Sequence, residues 1–189
     1  ETVESESTKR GLTSIHAANE PLLIAGVATY TLEILEDIPD VDVIIVPIGG
    51  GSSASAACIA AKTINPKIQI IGVQSSQAPA AYYSWNSREI KSAPANTAAE
   101  GLATSVGFQL TQSILWEYLD DFILVDDKEI EDSIVVLAIK AHTLAEEAGA
   151  STLACALRIK DRLAGKKVVL VISGGNISLE RLKMIMSNA

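Results

Sequence analysis

Three consecutive glycines, Gly49, Gly50 and Gly51, stand between a β-branched run and an alanine-rich segment, with Ser52 and Ser53 directly after them. Bare backbone at such a place lets successive amides converge on one anion without Cβ obstruction, and the two hydroxyls could add donors. The place itself is favourable if the run is a strand of an open parallel sheet. Beyond the carboxyl end of such a strand, the next helix presents unpaired N–H groups and a partial positive charge. A phosphate is the anion that suits this arrangement. The same glycines would also serve a turn that needs only tight strand–helix packing, so the motif alone leaves both uses open.

A second glycine turn narrows the chemistry. Ser173, Gly174, Gly175 and Asn176 follow the apolar run VVLVIS and fall on the same sheet edge if the strands are parallel. Two small polar strand ends could frame one flat ligand, although a satisfied strand-end hydroxyl is a sufficient reading of Ser173 alone. The first turn also fits G-x-G-x-x-A, but a dinucleotide site wants an acidic residue at the end of the next strand, where this chain has Gln74, Ser75 and Ser76. No G-K-[ST] follows the glycines, so a Walker-type loop fits less well still.

These turns need strands before them and helices after them, and the chain supplies both. The run VDVIIVPI at 41–48 reads as a buried strand. Residues 53–63 place Ala54, Ala57, Cys58 and Ala61 on one narrow helical face, and Pro66 ends that helix. Upstream, residues 29–37 place Leu32, Ile34 and Leu35 on a buried helical face, and Pro39 stops it. A strand at 68–73 leads into residues 75–99, a loop long enough to carry function. Helical spacing returns at 106–119, and FILV at 122–125 is a third strand. Asp126 and Glu129 outline a capping box for a helix predicted to run from 126 to 148 and to end at Gly149. Residues 151–163 form another helix closed by Gly165; a strand over 166–173 and a last helix from Ser178 follow. Alternating strands and helices predict one α/β domain over 1–189, a three-layer sandwich around a largely parallel sheet. ETVESESTKRG reads as an exposed helix or a ragged end, and TSIHAANEPLLIAG has no clear period.

Composition excludes several function classes. With 48% hydrophobic residues among 189, a sizeable core is available, and a net charge of −8 without a basic stripe argues against nucleic acid. The longest apolar runs are too short to span a bilayer, so no membrane partner is expected. Cys58 and Cys155 lie far apart in sequence, which points to two core thiols and a reducing, cytoplasmic setting. His16 and His142 lack ligand partners at metal spacing.

Six segments in register resemble the serine/threonine dehydratases and serine racemases, pyridoxal-phosphate enzymes of fold type II. They are SIHAANEP with IAGVATYTLEI, VDVIIVPIGGGSS, NTAAEGLA, YLDDFILVDDKEI, LAEEAGASTLA and VLVISGGNIS. The resemblance implies that Gly49, Gly50, Gly51, Ser52 and Ser53 hold the cofactor phosphate and that Ser173 meets the pyridine nitrogen. It also implies that Glu146 lies near the ring, where a solvated helix-end carboxylate is the competing reading. A neutral hydroxyl at the pyridine nitrogen leaves the ring a milder electron sink, suited to β-elimination. The implied reaction is dehydration and deamination of L-threonine or L-serine to a 2-oxo acid and ammonia. A homodimer is expected.

Departures from the family pattern are equally specific. Ser52 replaces a usual fourth glycine, and Gly26-Val27-Ala28-Thr29 stands where relatives have Gly-Gln-Gly-Thr. Relatives' cation ligands match Gln74, Ala78 and Ala80, which lack the charge a hard cation needs, so no metal is expected there. The family's Schiff-base lysine and Asn-His segment are not found, and the expectation is that both lie upstream of Glu1. The chain would then be the carboxyl-terminal part of the catalytic domain, with no catalytic residue of its own; Lys62, Lys67 and Lys91 sit in surface-type contexts. The alternative is a non-catalytic phosphate- or nucleotide-binding α/β module.

Overall fold

The computed structural model describes residues 2–188. In chain order its elements are α1 (Thr2–Arg10), α2 (Pro21–Val27), α3 (Thr29–Asp37), β1 (Val43–Pro47), α4 (Ser52–Ile64), β2 (Gln69–Ser75) and α5 (Ala80–Ser87). A short 3-10 turn (Glu100–Leu102) precedes α6 (Gln109–Tyr118), β3 (Asp121–Val125), α7 (Asp127–Lys140), α8 (Glu147–Arg158), α9 (Lys160–Leu163), β4 (Val168–Leu170) and α10 (Leu179–Ser187).

The four strands pair in parallel in the order β3-β2-β1-β4. Alternation along β1 splits the core into two layers. Val43 and Ile45 join Ile71, Val73 and the inner faces of α7, α8 and α10, while Ile44 and Val46 join Ile70, Phe122 and residues of α3, α4, α5 and α6. β1 is therefore apolar on both faces, as a central parallel strand must be. Each fully buried aliphatic such as Ile44 or Ile45 contributes about 1.5–3 kcal/mol relative to exposure. The three-layer α/β sandwich expected from the sequence is the observed architecture. Among the described residues, no helix is long and apolar enough to cross a membrane.

Strand order matters for function. The chain steps outward from β1 to β2 and β3, then returns to set β4 on the other flank of β1. Winding reverses between β1 and β4, and the crevice beyond their carboxyl ends is where open α/β sheets bind ligands.

Several expectations need correction. The helix expected over 126–148 is two helices. Asp126 caps α7 with the anticipated box, its Oδ1 accepting from the Glu129 amide at 2.9 Å and Glu129 Oε2 accepting from the Asp126 amide at 2.8 Å. That helix ends at Lys140, because His142 adopts φ 51 and the Thr143 amide turns back to the Leu137 carbonyl. Gly149 is not a stop; it lies inside α8, where a Cβ would sit 3.0 Å from the Gly174 carbonyl oxygen. The loop expected over 75–99 contains α5, and the helix expected from 106 starts at Gln109. The helix expected over 151–163 begins earlier, at Glu147, and gives way to α9 after Arg158. The last strand is only Val168–Leu170 and is half-buried. Leu32 faces outward, 41% exposed, while Thr31 and Leu35 are buried. Cys58 and Cys155 are free and buried, as expected.

Candidate functional site

The first glycine turn ends β1 and starts α4. Gly51, at φ 90, occupies the N-cap position of α4, a left-handed conformation that favours glycine. Three successive peptide groups are held by their carbonyls: Gly49 O accepts from Thr104 Oγ1 at 3.2 Å, Gly50 O from Thr111 Oγ1 at 2.8 Å and Gly51 O from the Ser55 amide at 2.9 Å. In a trans peptide the N–H points opposite to its C=O. The amides of Gly50, Gly51 and Ser52 are thus turned away from those partners. Among the described residues, no oxygen accepts a hydrogen bond from the amides of Gly50, Gly51, Ser52 or Ser53. Amides without acceptors at the start of a thirteen-residue helix are the kind of donors that an anion can use.

The second turn follows β4, on the opposite side of the switch point. It is latched by the start of α8. The Glu146 amide donates to Gly174 O at 3.0 Å, and Glu146 Oε2 accepts from the Asn176 amide at 3.2 Å. Glu146 is the N-cap residue of α8, so the break between α7 and α8 is what brings its carboxylate here.

Between the turns lies a cleft of about 180 Å³. Gly49, Gly50, Gly51, Ser52, Ser53, Glu146 and Ser173, the seven residues singled out in the sequence, all line it, together with Gly101 and Ala148. Ser173 is exposed at its rim. The Ser53 hydroxyl donates to Tyr30 Oη at 3.3 Å, and Tyr30 returns a hydrogen bond to the Ser53 carbonyl at 3.0 Å. Burial pushes the Tyr30 phenol above its ordinary range, with the Ser53 contact opposing. A larger cleft of about 590 Å³ adjoins the first and shares Gly101, Glu146 and Ala148. Its far wall is fixed by Arg181, whose guanidinium lies 2.7 Å from both Glu147 and Glu131.

Gln74, at the end of β2, is buried with both ends used: its Oε1 accepts from the Tyr82 amide and its Nε2 donates to Thr104 Oγ1 at 3.3 Å. Ala78 and Ala80 are buried beside it. Lys62 is committed to Asp120 Oδ2 and the Ile68 carbonyl, both at 2.7 Å. His16 Nδ1 accepts from the Ala18 and Asn19 amides, and the ring packs edge-on against Phe108. Among the described residues, no cluster of three or more His, Cys, Asp or Glu side chains is arranged to hold a metal ion. Sequence reasoning missed Thr104, Thr111 and Gly101. Neither threonine stands within a motif, and each meets the glycine turn only through the tertiary fold.

Comparisons with known proteins identify the family and the fold. Residues 1–174 match the family described as pyridoxal-phosphate dependent enzyme. The chain is 38% identical over 182 residues to the L-threonine ammonia-lyase of Thermotoga maritima, covering 95% of this chain and 45% of that protein. It is 41% identical over 172 residues to the catabolic L-threonine dehydratase of Escherichia coli strain K12, covering 88% and 52% respectively. The solved structure of maize serine racemase superposes with a TM-score of 0.88 at 33% identity, over 98% of this chain and 60% of that one. The chain spans about half the length of these curated relatives.

Proposed function

The chain belongs to the pyridoxal-phosphate-dependent enzyme family, and on that premise we propose that it forms the phosphate-binding and ring-binding half of a threonine/serine dehydratase. The overall reaction is removal of the α-proton and β-hydroxyl of L-threonine or L-serine, ending in a 2-oxo acid and ammonia.

One observation carries the reading: the two glycine turns, 122 or more positions apart in sequence by the numbers of Gly51 and Ser173, line one cleft at the switch point of the sheet. The residues fit a phosphorylated pyridine. Unclaimed amides of Gly50, Gly51, Ser52 and Ser53 offer a dianion donors without a competing side chain. Ser173, across the cleft, offers a neutral hydroxyl to a ring nitrogen. Glu146 holds the Ser173 turn in shape through the Asn176 amide and Gly174. Bound pyridoxal phosphate supplies the electron sink for chemistry at the substrate α-carbon. This chain's residues anchor the phosphate, orient the ring and wall the cleft. Lys62, tied to Asp120, is not assigned as the covalent lysine. We assign that lysine to a further segment of the same enzyme, a reading supported by relatives about twice as long as this chain. The small hydroxy amino acid enters against that segment, and a cytoplasmic homodimer completes the proposal.

The test uses the protein expressed from its complete gene. Titration of the apoprotein with pyridoxal phosphate, followed by its absorbance band, gives saturable binding that inorganic phosphate competes away, and the loaded protein forms a 2-oxo acid from L-threonine or L-serine. Saturable binding that phosphate cannot displace removes the cup assignment. Binding without turnover of either amino acid leaves a non-catalytic module instead.

A further inference from the structure

We infer that Thr111, seconded by Thr104, is the positioning residue that aims the amides of the first glycine turn; this rests on the reading of that turn as the phosphate site. Thr111 is fully buried on α6, outside the cleft lining. Its hydroxyl donates to Gly50 O at 2.8 Å, with the Phe108 carbonyl at 3.2 Å as the alternative acceptor. A Cβ added at Gly51 would meet Thr111 Cβ and Oγ1 at 3.1 Å, so the side chain packs directly under the turn. Its own carbonyl is held from α4 by Ser55 Oγ at 3.3 Å, which ties α6 to the helix that the turn begins.

A run of glycines is the segment least able to hold its own conformation, because each position visits both signs of φ at little cost. The peptide planes on either side of Gly50 need external restraint if their N–H groups are to point one way. Thr104 and Thr111 supply it by fixing the Gly49 and Gly50 carbonyls, which sets the Gly50 and Gly51 amides opposite. Thr104 is in turn oriented by buried Gln74, so that restraint reaches back into β2. A preorganised cup avoids the ordering cost on binding.

The experiment compares Thr111→Val, which keeps the shape and removes the hydroxyl, with Thr111→Ser, which keeps the hydroxyl. Both are made in the protein from its complete gene. Each apoprotein is titrated with pyridoxal phosphate and, separately, with pyridoxal, which lacks the phosphate, and the ratio of the two affinities is the readout. Thr111→Val lowers that ratio about tenfold, the scale of one lost hydrogen bond, by weakening pyridoxal phosphate while pyridoxal is unchanged. Thr111→Ser stays within about twofold of the unaltered protein. A Thr111→Val protein that keeps the full ratio overturns the inference while leaving the phosphate site standing. An unaltered protein that fails to prefer pyridoxal phosphate over pyridoxal overturns the site reading itself. Equal weakening toward both ligands also overturns the inference, since it marks a general packing defect. Should Thr111→Val not fold, Thr104→Val is titrated with the same two ligands, and retention of the full ratio there is the overturning result.

Discussion

At Gly49 an added Cβ would fall on the Gly101 carbonyl oxygen, and at Gly50 it would come 2.6 Å from buried Ala18; at Gly174 the obstacle is the carboxylate of Glu146, at 2.5 Å. The first turn is therefore enclosed by backbone and core, while in the second only Gly175 meets backbone, the Leu144 carbonyl oxygen at 2.7 Å, and Gly174 rests on the end of a movable side chain. Their neighbourhoods differ in the same sense. Residues 49–51 pass directly from a fully buried strand into α4, whereas residues 173–176 follow a half-buried three-residue strand and reach α10 only at Leu179. One turn is shaped by its own strand and helix and restrained from α6. The other takes its shape from α8, a distant element that reaches it through Glu146 and Gly149.

Gly49→Ala is the harshest test of that contrast. No side-chain rotation can relieve a clash with backbone, so the substitution costs about 3 kcal/mol of folding stability in urea denaturation, at the upper end for overpacking. Gly174→Ala costs about 1 kcal/mol, because the Glu146 carboxylate can swing aside at the expense of its contact with the Asn176 amide. Equal losses for the two would erase the distinction between a rigid and an adaptable turn.

A double-mutant cycle sharpens it. Glu146→Ala alone removes the acceptor of the Asn176 amide and costs about 1 kcal/mol. In that background the carboxylate that a Cβ at residue 174 would meet is gone, so the cost of Gly174→Ala falls to within about 0.3 kcal/mol of zero and the pair is non-additive. Additive losses in urea denaturation would mean that the carboxylate is not what confines residue 174.

The same contrast governs what could be read in the sequence. The first turn was legible because its ingredients are contiguous: a β-branched run, three glycines, then an alanine face, each obeying a local rule. The capping box at Asp126 was legible for the same reason. The break after Lys140 was not. Ile134, Leu137, Ala141, Leu144 and Ala148 keep helical spacing across it, and the cause of the break is a left-handed His142 followed by a tertiary bond from the Glu146 amide to Gly174. Gly149 misled for a related reason, since a glycine required by close approach is indistinguishable in sequence from one that ends a helix. In α5, the buried positions Ala80, Ala81 and Ser84 give no strong apolar period, and Gln74 holds its start through the Tyr82 amide. The pairing that places β4 beside β1, and so brings Ser173 and Gly50 to one cleft, lies in strand order, which local patterns do not encode.

Cysteine chemistry offers the finest discrimination, because each turn is backed by a helix carrying one buried thiol: Cys58 on α4 and Cys155 on α8. Burial pushes both up to about 12 from an ordinary 9.0, Asp120 adding to the effect at Cys58 and Asp121 at Cys155. A thiol whose folded value is raised favours the folded state fully below the unfolded value. Stability from both is thus complete below pH 9.0 and is lost as pH rises toward about 12, where only the unfolded chain has long held thiolates. At pH 8 neither thiol reacts with a disulfide reagent without local opening. If the turn held by α8 is the more adaptable, Cys155 is labelled faster than Cys58, by about tenfold for a difference of about 1.4 kcal/mol in opening. Peptide mapping of the first-labelled cysteine decides it: Cys58 reacting first would reverse the order of rigidity inferred from the glycine contacts.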